Sequence, residues 1–255
     1  MSLLRAKCPF CRTNTAVAIG SEYECHSCGR TFRAGLVRVP RAWGDGGEEM
    51  VESAALPLEY PEASVVDEDS LAMQTLAVAS DLPARPLILG GCCCSHIGAI
   101  EGLAARHEKL GVLWLDAHGD LNTPESSPSG NEWGMPLRML LDGGAIAAEN
   151  VALVGTRNLD PPEVDFIASA GIRDNLDAIL DHVDCIYVAL DADVAEPSEL
   201  TVFMPEPGGP TVAELEAILS AAHERTTVVG AGFSGLAPDP ANVEKLQRLT
   251  AALGF

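Results

Sequence analysis

Two clusters of acidic side chains hold the chemistry this sequence can perform. The first is Asp116-Ala-His118-Gly-Asp120, placed directly after the apolar run Gly-Val-Leu-Trp-Leu. On extended backbone, residues two apart face the same side, so two carboxylates and an imidazole converge there. Alone, such a group repels itself. A divalent cation removes that cost, and Asp and His are common ligands for one. A solvated, Asx-rich turn at a strand end is the local alternative. The second cluster, Asp191-Ala-Asp193, follows Cys185-Ile-Tyr-Val-Ala-Leu190, again an apolar strand that finishes in carboxylates two residues apart. A solvated-turn reading must then explain two coincidences. Asp116, His118, Asp120, Asp191 and Asp193 together are too many for one small ion and suit two, with carboxylates bridging.

A third constellation is of another kind. Cys8-Pro-Phe-Cys11 and Cys25-His-Ser-Cys28 are two C-x-x-C pairs separated by a short stretch. Each pair is a tight turn offering two thiolates, and four thiolates close a tetrahedral shell with no open position. The spacing predicts a structural zinc ribbon, with disulfides or free thiols as the alternatives. His26 lies inside a pair, as a substitute ligand or simply exposed. So short a segment cannot bury enough surface alone, so metal binding is expected to supply its folding energy.

The elements that must position the acidic clusters follow from periodicity. Apolar runs at residues 35–39, 86–89, 111–115, 150–154, 185–190 and 227–233 have strand length and little alternation, as parallel strands buried on both faces do. Helical periodicity occurs at residues 70–79, 95–109, 164–170, 211–223 and 242–253. The alternation predicts an α/β fold with a doubly wound, mainly parallel sheet, whose functional residues gather beyond the carboxyl ends of the strands. Residues 44–69, rich in Glu, Pro and Gly, read as a surface loop. The expected organisation is a zinc ribbon at residues 1–35 and an α/β domain at 36–255.

Composition narrows the function classes. Of 255 residues, 47% are apolar and 21% charged, ordinary for a soluble globular protein. No apolar span reaches membrane length, and the opening MSLLRAKCPFC is too short for a signal peptide, so a cytoplasmic location and no membrane partner are expected. The net charge of −21 argues against general nucleic-acid affinity. Residues 1–35 carry five Lys/Arg against two Glu, a net of +3, which leaves −24 elsewhere. Opposite charge favours docking of the ribbon on its own or a neighbouring main domain.

At the acidic clusters the sequence resembles the ureohydrolase family, the arginases and agmatinases. The resemblance covers about residues 36–255. It rests on Val39-Pro40 with Gly44 to Gly47, Leu89-Gly90-Gly91, Asp116 to Asp120, Leu121-Asn-Thr-Pro124, Ser129-Gly-Asn131, Gly134-Met-Pro136, Gly155-Thr-Arg157, Leu190 to Asp193 and Pro207-Gly-Gly209, in that order. It implies a three-layer α/β sandwich and a two-metal centre, usually manganese, that activates water against the planar carbon of a guanidinium and releases urea. On that model Asp116 and Asp191 bridge, Asp120 binds one metal, and His118 and Asp193 bind the other. Asn122 and Ser129 resemble residues that hold the carboxylate end of an amino-acid substrate; Asp160 and Glu163 resemble those that read its ammonium. Local alternatives are a turn cap for Asn122 and a helix start for Asp160. A small-molecule substrate with a cationic or amino-acid end is implied, as is a homo-oligomer, trimeric or hexameric.

The departures matter as much. Where the family continues Gly-Gly with Asp-His, this chain has Cys92-Cys93-Cys94-Ser95-His96, so Cys93 occupies the remaining ligand position. A thiolate there favours zinc or ferrous iron over manganese. His96 is the alternative donor, but Ser95 reads as a helix N-cap that puts His96 in the first turn. Cys92 and Cys94 are expected to pack as small apolar residues, and Cys185 to lie in the core. Trp133 stands where arginases have a proton-shuttling His; indole neither accepts nor releases a proton at neutral pH but can stack on a flat cation, or merely fill space. Gly235 stands where a Glu grips the guanidinium, and Met204 where a small polar residue is expected. Two functions follow: a metal-dependent hydrolase of linear C–N bonds in amidine- or guanidine-type molecules with altered specificity, or a catalytically weakened relative acting structurally or in regulation through its ribbon. The cofactors expected are zinc in the ribbon and one or two divalent metals, Mn, Zn or Fe, in the cleft.

Overall fold

The computed structural model describes residues 5–6, 8, 10, 11, 13–19 and 22–255. Residues 1–4, 7 and 9, on which the expectation about a signal peptide falls, lie outside the described residues. The first sheet is small and antiparallel, in the order β1 (Arg5–Ala6), β2 (Ala16–Ile19), β3 (Glu22–Cys25) and β4 (Thr31–Phe32). Its own core is little more than Cys8, Ala16 and Cys25.

The second sheet has seven parallel strands: β5 (Leu36–Val39), β6 (Glu62–Val65), β7 (Leu87–Gly90), β8 (Leu110–Leu115), β9 (Val151–Val154), β10 (Cys185–Asp191) and β11 (Thr227–Ser234). Their spatial order is β6-β5-β7-β11-β10-β8-β9. The last strand in the chain therefore sits between β7 and β10. Every residue of β7, β8 and β10 is buried, which explains why these strands show no alternation.

Successive residues of a strand serve opposite faces. Leu113, Leu115, Val188 and Leu190 join one core with Leu215 and Leu219 of α5 (Val212–Arg225) and Leu246 and Leu249 of α6 (Asn242–Ala252). Val112, Trp114, Tyr187 and Ala189 join the other. That side is covered by α1 (Leu71–Ser80), α2 (Ser95–Ala104) and α3 (Pro136–Asp142), with α4 (Pro161–Ala170) packed against it through Phe166 and Ile167. The result is the expected three-layer sandwich. Among the described residues no helix is long and apolar enough to cross a membrane.

Several elements differ from the sequence expectation. The stretch read as a loop at residues 44–69 contains two 3-10 turns, at Gly47–Glu49 and Val51–Ala55, with Met50, Ala54 and Leu56 buried, and then the edge strand β6 beside β5. Four residues with mixed burial give too little periodicity to stand out. Helix α3 starts at Pro136, whose fixed φ suits the first turn, but its seven residues show barely two turns of pattern. Helix α2 stops at Ala104 instead of running to residue 109. Its N-cap is Cys94, not Ser95; Cys94 already has helical dihedrals, and the Ser95 hydroxyl lies buried inside the helix without a partner.

Candidate functional site

The sheet order brings the carboxyl ends of four adjacent strands to one place. From β7 the chain turns through Gly90-Gly91 into Cys92, Cys93 and Cys94; from β8 it delivers Asp116, His118 and Asp120; from β10, Asp191 and Asp193; from β11, Ser234 and Gly235. This crevice is where open α/β sheets bind ligands. A cavity of about 200 Å³ opens above it.

Two overlapping ligand triplets lie at the cavity floor, Cys93-Asp116-Asp120 and Asp116-His118-Asp193, sharing Asp116. His118 Nδ1 stands 3.0 Å from Asp193 Oδ2 and 3.5 Å from Asp116 Oδ1. Asp191 belongs to neither triplet, but its Oδ2 is 2.7 Å from Cys93 Sγ. Backbone amides fix the carboxylates: His118 N–H donates to Asp116 Oδ1 at 2.7 Å, Asp193 N–H to Asp191 Oδ1 at 3.0 Å, and Ala117 N–H to Asp193 Oδ1 at 3.2 Å. The indole N–H of Trp114 donates to Asp116 Oδ2 at 3.1 Å. Asp120 has φ 53°, the only positive φ outside glycine among the described residues, and its buried Oδ2 has no hydrogen-bond partner. Such a backbone costs about 1 kcal/mol or more, and it aims the carboxylate into the cluster.

The protein alone does not settle this charge. Burial, then the neighbouring Asp193, raises Asp191 to about 7; burial, then Asp116, raises Asp193 to about 6. Burial and the Asp116 and Asp191 charges hold Asp120 well above the carboxylate range. Burial would lower His118, but Asp116 and Asp193 overcome it and push its imidazole up to about 12. Burial, then the Asp191, Asp120 and Asp116 charges, raises the Cys93 thiol well above its ordinary range. Four carboxylates, one imidazole and one thiol packed this closely, with an orphaned carboxylate oxygen, fit divalent cations. His96, the alternative donor, is fully buried and turns away from the cluster to Tyr187 and Ser234.

The residues expected to bind substrate also line the cavity: Asn122, Ser129, Trp133, Asp160 and Glu163. Local structure already engages several. Asp160 and Glu163 form the capping box of α4, and the other Glu163 oxygen accepts Leu121 N–H at 2.9 Å. Asn122 donates to Asp160 Oδ2 at 2.9 Å and accepts from Ser126 Oγ at 2.8 Å. Ser129 is exposed at the mouth. The six-membered ring of Trp133 leans on Gly44, where a Cβ would stand 2.5 Å from its Cζ3, and Phe203 meets it edge-on at 5.8 Å. At Gly235, φ is 69° and a Cβ would collide with the Asp191 carboxylate, so no side chain reaches the cavity from this position.

Other contributors escaped the sequence reading. Met50 and Phe203 wall the cavity from distant loops. Arg157 spends its guanidinium on the carbonyls of Gly155, Asp193, Val194, Glu206 and Pro207, which braces the turn after Asp193. That turn places Glu206 Oε1 3.5 Å from His118 Nε2, on the ring side away from the cluster. Trp114 had a usable signal, being two residues before Asp116 on the same strand face.

The N-terminal cysteines also converge. All four sulfurs lie within 4.8 Å of one another, with Cys8 to Cys28 at 3.6 Å and Cys11 to Cys25 at 3.4 Å. Disulfide sulfurs would be about 2.05 Å apart. A tetrahedral zinc site with bonds of about 2.3 Å has edges of about 3.8 Å, so the spacing fits a metal. His26 is exposed and outside the cluster.

Comparisons with known proteins agree with this geometry. The model of the arginase family matches residues 49–255. An arginase of Bacillus caldovelox is 34% identical over 183 residues, covering 60% of this chain and 61% of that protein. An arginase of Staphylococcus aureus strain MRSA252 is 37% identical over 142 residues, 45% of this chain and 47% of that one. The chain thus spans about half to three fifths of the length of these curated relatives. The crystal structure of an arginase from Bacillus subtilis superposes with a TM-score of 0.74 at 25% identity, covering 87% of this chain and 98% of that one. A formimidoylglutamase from the same species, at 17% identity and a TM-score of 0.67 over 86% of each chain, shares the fold.

Proposed function

We propose, on the premise that the chain belongs to the arginase family, that it is a metal-dependent hydrolase of a linear C–N bond in a small amidine- or guanidine-type molecule other than arginine. The observation that carries this reading is the convergence of Cys93, Asp116, His118, Asp120, Asp191 and Asp193 at the floor of one cavity. These six side chains would hold one or two divalent cations. Bound there, the cations would supply Lewis acidity toward water and toward the planar carbon under attack. Manganese is the family's usual ion; the Cys93 sulfur shifts the expectation toward zinc or ferrous iron.

The remaining residues set what enters. Asp116, Asp120, Asp160, Glu163, Asp191 and Asp193 line the cavity, and no Lys or Arg is among its lining residues, so it selects cations. About 200 Å³ admits a small molecule only. Met50, Trp133, Phe203 and Met204 add an apolar wall. Trp133 offers a flat face to a planar cationic head, and Asp160, with the buried Glu163 carboxylate behind it, suits a cationic tail. Glu206 sits where it would accept from His118 Nε2 and keep Nδ1 turned to the cluster. Arginine itself is disfavoured because position 235 supplies no carboxylate to its guanidinium.

The same vacancy of function at Gly235 and Trp133 supports a second reading, a weakened relative acting through its N-terminal zinc ribbon, residues 1–35, with the hydrolase fold at 36–255. Release of urea or ammonia from a panel of guanidino and amidino compounds, measured with manganese, zinc and ferrous iron added, separates the two. Turnover that disappears in Asp116→Asn supports the hydrolase. No turnover, with metal confined to the four ribbon cysteines, supports the second reading. A homo-oligomer, trimeric or hexameric, is proposed for the assembly and is read directly from the mass in solution.

A further inference from the structure

Behind the metal-ligand cluster lies a buried polar chain that the hydrolytic reading does not use. His96 in the first turn of α2 is fully buried, with Nδ1 2.9 Å from Tyr187 Oη and Nε2 3.2 Å from Ser234 Oγ. Ser234 Oγ lies 3.1 Å from Cys93 Sγ and 3.3 Å from Asp191 Oδ2. Edge-on contacts with Trp114 and Tyr187, at 5.6 and 5.8 Å, hold the imidazole plane. Gly232 makes the room: a Cβ there would stand 2.6 Å from Tyr187 Oη and 2.7 Å from His96 Cε1. A helix and two strands each contribute one polar group to a core position, an arrangement that is costly unless every group is satisfied.

Its direction follows by elimination. The ring is fully buried and its nitrogens meet only two hydroxyls, with no carboxylate to pair a charge, so it is neutral, with one nitrogen donating and the other accepting. The Tyr187 hydroxyl has His96 as its hydrogen-bond partner and no other among the described residues. A buried donor left unpaired costs about 1–3 kcal/mol, so the phenol donates to Nδ1. The ring hydrogen is then on Nε2 and goes to Ser234 Oγ. Ser234's own hydrogen must therefore point away from His96, toward Cys93 Sγ and Asp191 Oδ2.

We propose that His96 is a positioning residue for a thiolate metal site: through Ser234 it aims a hydroxyl donor at Cys93 Sγ, which orients the sulfur and tempers its electron donation to a zinc-like cation. The proposal rests on the reading of Cys93 as a ligand. Hydrogen bonds to a ligating atom tune both its direction and the electronics of the metal. The chain also gives a reason for a buried histidine only three residues after Cys93 that is not itself among the ligands.

Cobalt(II) provides the test, since a thiolate bound to it gives a ligand-to-metal charge-transfer band. The full chain is loaded first with zinc in the ribbon, then with cobalt(II), and its spectrum is read as the difference from Cys93→Ser, which cancels any cobalt held by the other cysteines. The expected result is a band in the unaltered protein that moves to longer wavelength in Ser234→Ala, and by a smaller shift in His96→Phe and Tyr187→Phe. A sulfur that loses its hydrogen bond gives up charge at lower energy. A band that is present but unmoved in all three variants overturns the proposal and leaves Cys93 a ligand. Absence of any difference from Cys93→Ser overturns both. Ser234→Ala removes a single oxygen, so the test stands even where His96→Phe does not fold.

Discussion

The four-cysteine cluster of the ribbon and the carboxylate cluster of the cleft are both built for metal, and they differ in what holds the surrounding chain in place. Around the ribbon cysteines, among the described residues, only Cys8, Ala16 and Cys25 are buried, in a sheet whose outer strands are two residues long. Around the cleft, two cores flank a seven-stranded sheet, and the ligand-bearing strands are buried by protein on both faces. A thiolate tetrahedron is closed, whereas the cleft ligands face a cavity. On the proposed reading, an ion in the first region would supply the fold, whereas in the second the fold would present an ion to a substrate.

The largest effect that would break this contrast concerns the ribbon. Structural zinc in peptides of this kind contributes about 10–16 kcal/mol of folding free energy, so Cys25→Ser is expected to unfold residues 5–32 and leave the large sheet intact. Limited proteolysis should then cut within the ribbon alone; protection there would show that the ion is dispensable. Next is Asp116→Asn, which removes the ligand common to both triplets. Loss of cleft metal and a fall of about 10³-fold in turnover are expected, several kcal/mol of transition-state stabilisation, with the melting temperature unchanged or raised. Metal analysis and a thermal scan on the same sample check both halves.

Gly235→Ala sharpens the comparison from the side of the fold. With φ at 69° and the Asp191 carboxylate in the path of a Cβ, a loss of about 1–3 kcal/mol is expected, read as a lowered melting temperature together with weaker cleft metal binding. The smallest effect is that of Trp133→Leu. If the indole stacks on a planar cation, KM rises about 2- to 30-fold, the equivalent of about 0.5–2 kcal/mol, while kcat holds. An unchanged KM would reduce Trp133 to a wall of the cavity.

Much of this architecture could be read from local spacing. The strands β5, β7, β8, β9, β10 and β11 appear as short apolar runs because burial on both faces removes alternation, and the two acidic clusters follow β8 and β10 directly. Cys93 was likewise visible from its place after Gly90-Gly91. The rest depends on chain-distant contacts. Met50 and Phe203 come to one cavity from distant parts of the chain, and Tyr187 and Ser234 reach His96 from 91 and 138 positions away. Strand β6 escaped because only two of its four residues, Ala63 and Val65, are apolar, and helix α3 because seven residues carry too little period to separate from loop. Ser95 has the composition of a cap, but the turn begins one residue earlier and leaves its hydroxyl inside.

The place of β11 in the middle of the sheet has a consequence for biogenesis. During synthesis, β7 and β10 are both complete while the slot between them is still empty, so each exposes an open edge to chaperones and to other nascent chains. Only when residues 227–234 have left the ribosome can that slot fill, and the same event delivers Ser234 and Gly235 beside Asp191. On the proposed reading, cation capture in the cleft would wait for the same step that closes the two open edges.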